Sequence, residues 1–264
     1  NRSSNTITDL FDGYELNLTA TTTSSFRISS EIDKVSALAS LKDFVAVINN
    51  TRTTLNELTK PGSQTTEAGP LSKNIAVKNI VKNINSIITG PIVGYASDNV
   101  YLSELGVRTA YDGTLSVNEK IFNAQLDLDS TVFDSIFTSM FSSNSSNLKV
   151  ESSNATSKPT PGTYSYANDG STVTLGGVEM SSYTDTDGNT YYVSNATDTG
   201  GIKITETETV SSAYVYYGKS IIEQISEYID LSLSSNGTLG KSETTATKDL
   251  SNLKLDLLDI DEKV

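Results

Sequence analysis

The 264-residue sequence contains no cysteine, no histidine and no tryptophan. Without cysteine there is neither a disulfide nor a thiolate ligand. Without histidine there is no imidazole for a metal site, a catalytic triad or acid–base catalysis near neutral pH. The groups that remain for chemistry are carboxylates, lysines, tyrosines and hydroxyls. We therefore expect no catalytic, cofactor-binding or metal site, and a stability that depends on core packing or on assembly.

Positive charge is also scarce, with 19 Lys and Arg residues against 32 Asp and Glu and a formal net charge of −13. The basic residues are scattered, so we expect neither nucleic acid nor an anionic membrane as a partner. No apolar run approaches the roughly 20 residues that a membrane-spanning helix needs, and no signal peptide is recognisable. Because the chain starts at Asn1 and stops within a helical pattern, we expect a fragment of a longer protein.

The N-terminal residues have the pattern of two short strands around Asp12-Gly13, a dipeptide typical of β-hairpins. At Ser30 the apolar period lengthens to about 3.5 residues, which predicts a long helix. Ser30 and Asp33 form a variant capping box at its start, and Pro61-Gly62 ends it. Its apolar stripe is interrupted once, by Arg52, and otherwise consists of Leu38, Leu41, Val45, Ile48 and Leu55.

Further local patterns follow along the chain. A second amphipathic helix is predicted from Val77 to Ile88, closed by Gly90-Pro91. The turn Asp112-Gly113, flanked by Tyr111 and Leu115, predicts a small hairpin. Ser116 and Glu119 have the spacing of a capping box, which predicts a helix through Leu126 and then another that includes Phe137 and Phe141.

The composition changes at Ser142, where Ser and Asn dominate as far as Lys158 and predict a linker. A stretch rich in Tyr, Thr and Val then predicts a small antiparallel β subdomain ending near Tyr217. Its turns are expected at Asp169-Gly170, Gly176-Gly177, Asp187-Gly188 and Gly200-Gly201. Beyond it lie a helical face stopped at Asn236-Gly237 and a final heptad pattern, which predicts a coiled-coil seam over Leu250, Leu253, Leu257 and Ile260.

The predicted fold class is therefore α+β, with a helical, coiled-coil-like leg domain that carries a β-hairpin and is interrupted by an antiparallel β subdomain. The predicted divisions are strands over 1–28, the first part of the leg over 29–145, a β-rich insertion over 146–217 and the C-terminal part of the leg over 218–264. The apolar stripes at both ends of the leg are interpreted as a seam for packing within one leg or for assembly between copies.

Three other features have both a functional and a structural interpretation. Asp185-Thr186-Asp187-Gly188-Asn189 has the carboxylates of a calcium loop, but Gly188 comes too early for one, and a hairpin turn is favoured. Glu206 with Glu208, or Asp127 with Asp129, would suit a glycosidase pair. The solvated face of a strand is the simpler interpretation of the alternating Thr and Glu. Six tyrosines suit either a carbohydrate platform or strand packing: Tyr183, Tyr191, Tyr192, Tyr214, Tyr216 and Tyr217.

The order of these pieces resembles the C-terminal half of the bacterial flagellar filament cap family, FliD or hook-associated protein 2. The similarity is strongest from Leu105-Gly106-Val107 through Asp112-Gly113-Thr114-Leu115-Ser116-Val117 and the helix that follows. Gly69-Pro70-Leu71 also resembles the start of a helix in that family. The resemblance covers most of the chain except roughly residues 146 to 200, which look like a variable insertion.

The resemblance implies a secreted, non-enzymatic structural subunit at the distal tip of the flagellar filament that guides flagellin into place. It implies a homo-oligomeric ring, contacts with flagellin and the hook–filament junction proteins, and an export chaperone before secretion. Two alternatives remain open: an adhesin-like surface module that binds glycans through the Tyr-rich insertion, and another filament-type subunit.

Overall fold

The computed structural model describes residues 5–7, 16–17, 33–95, 99–153 and 157–243. The chain divides into two compact units, Asn1–Asp33 and Lys34–Val264. In the first unit, β1 (Thr6–Ile7) pairs antiparallel with β2 (Leu16–Asn17), in agreement with the predicted pair of strands. The predicted helix start at Ser30 and the seam from Leu250 to Ile260 lie outside the described residues.

The second unit contains the described helices and most of the strands, so the predicted α+β class is confirmed. Helices α1, α2 and α5 pack together, and α1 also contacts α3 and the hairpin strand β4. A coiled-coil leg remains a prediction. The helices are α1 (Lys34–Thr59), α2 (Ile75–Thr89), α3 (Glu119–Leu128), α4 (Thr131–Phe137) and α5 (Ile221–Leu233), and the hairpin consists of β3 (Val107–Thr109) and β4 (Leu115–Val117).

Short polar side chains determine where the later helices begin. The Oδ1 of Asn74 accepts a hydrogen bond from the N–H of Val77 at 3.2 Å and caps α2. The predicted capping box of Ser116 and Glu119 is wrong, because Ser116 lies within β4. Asn118 caps α3 instead, since its Oδ1 accepts from the N–H of Ile121 at 3.2 Å.

The helical core lies where α1, α2, α3 and α4 meet the β3–β4 hairpin. Leu41, Leu105, Phe122 and Ile136 are completely buried there. Each such side chain contributes about 1.5–3 kcal/mol by leaving water. Edge-on aromatic contacts, such as Phe122 with Phe133 at 5.9 Å between ring centroids, add geometric specificity.

Two antiparallel sheets form the β-rich part, with strand orders β5-β13-β7-β8-β9 and β10-β11-β12-β6. They share one core that includes Tyr166, Leu175, Ile204 and Val215. The strands are β5 (Met140–Ser143), β6 (Leu148–Ser152), β7 (Gly162–Asn168), β8 (Val173–Leu175), β9 (Val178–Glu179), β10 (Ser181–Thr184), β11 (Thr190–Val193), β12 (Ile202–Glu206) and β13 (Ser212–Gly218). The four predicted Gly-containing turns all lie between or beside these strands.

Two predictions before this region are wrong. Helix α4 ends at Phe137, and Phe141 belongs to β5, where its ring stacks on Tyr217 at 4.7 Å between centroids. The linker predicted over 142–158 contains part of β5 and all of β6. Strand β5 (Met-Phe-Ser-Ser) pairs with β13, 72 to 78 residues further along the chain, and β6 (Leu-Lys-Val-Glu-Ser) pairs with β12, 50 to 58 residues further along. Such pairing between strands that are distant in sequence cannot be predicted from the sequence of either strand alone.

Candidate assembly surfaces

The predicted seam on α1 faces the interior of this chain. Leu41, Val45 and Ile48 are buried in the helical core, and Leu38 and Leu55 pack against it while partly exposed. The other predicted seam residues, Leu250, Leu253, Leu257 and Ile260, lie outside the described residues. A role of this stripe in contacts between copies stays a prediction.

An apolar groove lies between α1 and α5. Phe44, Val47, Phe137, Ile222 and Ile229 line it, and it encloses about 560 Å³. Val47 is 61% exposed and Ile222 is 43% exposed, so part of this surface remains in contact with water in the described structure. Exposed apolar patches on rigid elements are typical of protein–protein contacts.

The tip of the β3–β4 hairpin projects an aromatic side chain into solvent, because Tyr111 is fully exposed. The loop beneath it is held closely. The N–H of Ala110 donates to the carbonyl of Thr114 at 2.8 Å, and the N–H of Gly113 donates to the carbonyl of Ala110 at 2.8 Å. The pKa of Asp112 is lowered, mainly by hydrogen bonds from the backbone N–H and the side chain of Thr114. The positive charge of Arg52 lowers it further. The tip is therefore a structured loop that carries an exposed ring.

Helix α1 supports this tip through two polar side chains. Nη2 of Arg52 donates to the carbonyl oxygen of Asp112 at 3.0 Å, and Arg52 is only 8% exposed. Its Nε is buried without a hydrogen-bond partner. One turn earlier, the Asn49 amide both donates to and accepts from the backbone of Leu115, each at 2.9 Å. In the sequence, the only sign of the contact between Arg52 and Asp112 is that Arg52 interrupts the apolar stripe of α1.

A second depression of about 580 Å³ lies at the C-terminal end of α1, and we call it the α1-end cleft. Leu58, Ala68 and Pro70 give it apolar walls, and Thr53, Thr54 and Glu57 line it from the helix. The loop that closes it returns to α1 through the N–H of Leu71, which donates to the carbonyl of Leu58 at 2.8 Å. The cleft is therefore part of a defined turn and not a gap between separate units.

The candidate calcium loop is a hairpin turn, as favoured from the sequence. Oδ1 of Asp185 accepts from the N–H groups of Asp187 and Asn189, both at 2.9 Å. Oδ2 accepts from the side chain of Asn189 at 3.1 Å and the Tyr191 hydroxyl at 2.9 Å. The hydrogen bonds from Asn189 are the main reason that the pKa of Asp185 falls to about 2. Over the described ranges, no three acidic side chains cluster as a metal site would require.

The interpretation of Glu206 as part of a solvated face is wrong. Glu206 is partly buried and follows the inward-facing residues Ile202 and Ile204 on β12. Its carboxylate accepts from the Tyr166 hydroxyl at 2.8 Å, from Asn168 at 3.1 Å and from the N–H of Val210 at 3.1 Å. The Glu206 carboxylate therefore links β12 to β7 and to the segment before β13 through hydrogen bonds at the edge of the β core.

The other acidic residues considered as catalytic pairs also have local contacts. Glu208 is exposed and lies 3.4 Å from the amide of Asn147. Asp127 forms an ion pair with Lys34, and Asp129 accepts from the N–H of Thr131 at 2.9 Å. These contacts favour structural roles for the three carboxylates.

The six tyrosines do not form one platform. Tyr216 and Tyr217 are buried, and burial raises the pKa of Tyr217 to about 12. Tyr183 and Tyr191 stack at 5.1 Å between centroids, with Nζ of Lys203 at 5.1 Å from the Tyr191 ring. Tyr192 packs against the β core, and Tyr214 is half exposed on β13. The alternative interpretation of these tyrosines as a carbohydrate platform is not favoured by this separation.

Comparison with known proteins supports the flagellar resemblance. The family model of the flagellar hook-associated protein 2 C-terminus matches residues 1–264. No curated protein and no solved structure shows a significant match. Among the described helices, none is both long enough and apolar enough to cross a membrane.

Proposed function

The chain belongs to the family of the flagellar hook-associated protein 2 C-terminus, and on this premise we propose that it is a structural subunit of the flagellar filament cap. In this role it oligomerises at the filament tip and promotes the insertion and assembly of flagellin. The proposal has two parts that can be tested separately, namely self-association and support of filament growth.

The observation that carries this proposal, beside family membership, is the groove between α1 and α5. Phe44 and Phe137 form its floor, with their rings 6.3 Å apart, and Val47, Ile222 and Ile229 remain partly exposed along it. A groove of this kind suits the apolar face of an amphipathic helix from another molecule. Contacts of that kind build a helical assembly without any chemical step.

The proposed partners are further copies of the same protein in a ring, flagellin, and the hook–filament junction proteins, with an export chaperone before secretion. The proposed location is outside the cell, at the distal end of the filament. We propose no catalysis, because the Asp and Glu residues considered as catalytic pairs are held in structural contacts. We propose no cofactor.

The self-association part is tested by sedimentation of the full-length protein with Val47→Asp and Ile229→Asp. A charge on each side of the groove opposes docking of an apolar face, so we expect weaker assembly with unchanged thermal unfolding. Val35→Asp is the matched control, since Val35 is 79% exposed on the same helix but does not line the groove. Assembly equal to wild type in the double variant would show that the groove is not a contact.

The filament-growth part is tested by deleting the gene and complementing the deletion with these variants. Deletion should stop filament growth and release flagellin monomers into the medium. The wild-type gene and Val35→Asp should restore filaments, and the groove variant should do so poorly. Normal filaments and motility in the deletion strain would refute the proposed role.

A further inference from the structure

A line of positive charge runs along the outer face of α2. Lys78 and Lys82 are exposed, and the opposite face of the helix is buried in the helical core. At 3.6 residues per turn, both lysines lie within about 20° of the direction of Thr89, which is the last residue of α2. With a rise of 1.5 Å per residue, the line from Lys78 to Thr89 is about 17 Å long.

The fold adds a third cation at the end of this line. Arg108 is exposed on β3 and lines one pocket together with Ile88 and Thr89. The β3–β4 hairpin therefore places Arg108 beside the C-terminal end of α2, although the two segments are separated in sequence. We call Lys78, Lys82 and Arg108 the basic stripe.

Within the part of the chain that the structure describes, no carboxylate neutralises the basic stripe. Helix α2 contains neither Asp nor Glu, and the side chains of Lys78, Lys82 and Arg108 form no ion pair or hydrogen bond with a described residue. Seven other lysines each pair with Asp or Glu: Lys34, Lys42, Lys60, Lys149, Lys158, Lys203 and Lys219. In a chain with a net charge of −13, the basic stripe is a local exception.

This arrangement lowers the stability of the free chain. Lys78 and Lys82 are four residues apart on one helix face, a spacing at which like charges repel each other. Departures from such local rules are expected at functional sites, where another requirement outweighs stability. A contact that brings negative charge to the basic stripe explains it better than the packing of this chain does.

The pocket at Arg108 indicates which negative group fits. It encloses about 290 Å³, and its lining combines apolar side chains such as Ile88 and Val107 with the hydroxyls of Ser103 and Thr109. None of the described residues that line it is acidic. A Glu or Asp side chain suits this lining, because its methylene carbons can contact the apolar wall while its carboxylate pairs with the guanidinium.

We propose that the basic stripe binds an acidic segment of a partner protein, with one carboxylate on Arg108 and others on Lys82 and Lys78. Charge complementarity of this kind speeds association and fixes the register of a contact. Nucleic acid and anionic membranes are not favoured, because their phosphate charge extends far beyond three cations and the net charge of −13 repels it. The basic stripe shares no residue with the groove between α1 and α5, so this inference goes beyond the proposed function.

The place of contact is tested with the full-length protein and a fluorescein-labelled oligoglutamate peptide at low salt. A carbodiimide reagent joins a peptide carboxylate directly to a lysine amine that it touches, and mass spectrometry identifies that lysine. We expect Lys78 and Lys82 to be cross-linked about fivefold more than Lys120. Lys120 is the matched control, because it is exposed on α3 and has no ion pair with a described residue. Equal cross-linking of all three lysines would overturn the inference.

Charge reversal gives a second measurement. Lys82→Glu and Arg108→Glu should each weaken peptide binding about fivefold in fluorescence anisotropy, whereas Lys120→Glu, with the same change in net charge, should leave it nearly unchanged. Lys82→Arg should retain binding. Thermal unfolding of these variants should match the wild type, because the side chains are exposed. No binding by the wild type, or equal losses for Lys82→Glu and Lys120→Glu, would refute the basic stripe as a binding surface.

The class of partner is tested with an oligonucleotide of the same charge as the peptide and with phosphatidylglycerol vesicles. Neither should depend more on Lys82 than on Lys120. If either binds more tightly than the peptide and loses that binding selectively in Lys82→Glu, the assignment to a protein partner is wrong. The groove variant with Val47→Asp and Ile229→Asp should bind the peptide like the wild type, which separates this outcome from that of the proposed function.

Discussion

The guanidinium of Arg52 donates from Nη2 to the carbonyl oxygen of Asp112 at 3.0 Å, across 60 residues of sequence. This bond ties the C-terminal half of α1 to the hairpin tip that carries Tyr111. It also explains why a charged residue occupies a position in the apolar stripe of α1. The side chain extends from α1 to the hairpin, and its guanidinium donates to the backbone carbonyl of Asp112.

Removing the Arg52 side chain tests this support directly. Arg52→Ala deletes a buried hydrogen bond and leaves a cavity, so we expect the free energy of unfolding to fall by about 2–4 kcal/mol in urea titrations. Arg52→Met should lose less, because it refills the volume without burying a charge. Arg108→Ala, an exposed arginine on β3, should stay within about 0.5 kcal/mol of wild type. Equal losses for Arg52→Ala and Arg108→Ala would contradict the assigned role.

Gly113 should tolerate no side chain, for two reasons. Its φ of +83° strains other residues, and an added Cβ would lie 1.9 Å from Nη2 of Arg52. Gly113→Ala should therefore destabilise the protein by more than the roughly 1–3 kcal/mol of backbone strain alone. Gly188→Ala is the matched control, since Gly188 has a φ of +87° and open space around it. In an Arg52→Ala background the additional loss should vanish; if it persists, the guanidinium is not its cause.

Glu206 should stabilise the β-rich part through the hydrogen bonds that its side-chain oxygens accept. Glu206→Gln keeps the shape but replaces one carboxylate oxygen with an NH2 group, which cannot accept a hydrogen bond, so either the bond from Asn168 to Oε2 or the bonds from Tyr166 and Val210 to Oε1 are lost. We expect a loss of about 1–3 kcal/mol in thermal unfolding. Glu208→Gln, at an exposed position two residues away, should be nearly neutral. A larger effect at Glu208 than at Glu206 would reverse the assignment.

The hairpin turn at Asp185 should weaken only in strong acid. Hydrogen bonds from Asn189 lower the folded-state pKa of Asp185 from 3.8 to about 2. A group with a lowered pKa contributes stability above its unfolded-state pKa, and the contribution is lost as the pH falls through the folded-state pKa. Protection of the Asp187 and Asn189 amides against hydrogen exchange should therefore decrease between about pH 4 and pH 2. Asp185→Asn should remove this pH dependence, and Asp187→Asn should preserve it.

Local signals predicted much of the helical architecture and the turns. The 3.5-residue period from Leu38 to Leu55 and the stop at Pro61-Gly62 correspond to α1, and Asp112-Gly113 marked the hairpin. The same signals failed for β5 and β6. Each of those strands contains only two apolar residues, Met140 and Phe141 in β5 and Leu148 and Val150 in β6, and they form because β13 and β12 pair with them from far along the chain.

The candidate assembly surfaces were less predictable than the fold. The sequence showed Tyr111 beside a turn and Arg52 within an apolar stripe, but not that Arg52 bonds the hairpin tip on which Tyr111 lies. It placed Glu206 on a solvated face, although β12 turns this residue toward the core with Ile202 and Ile204. Strand alternation predicts two faces but does not say which one is buried.

The sequence by itself determined the absence of thiol and imidazole chemistry, the acidic charge, the α+β class and the order of motifs that matches the flagellar family. Only the tertiary structure decided that most of the α1 stripe is buried within this chain and that the groove beside Val47 stays open. The physical reason is that periodicity is a property of one segment, whereas burial and exposure depend on which distant segment packs against it.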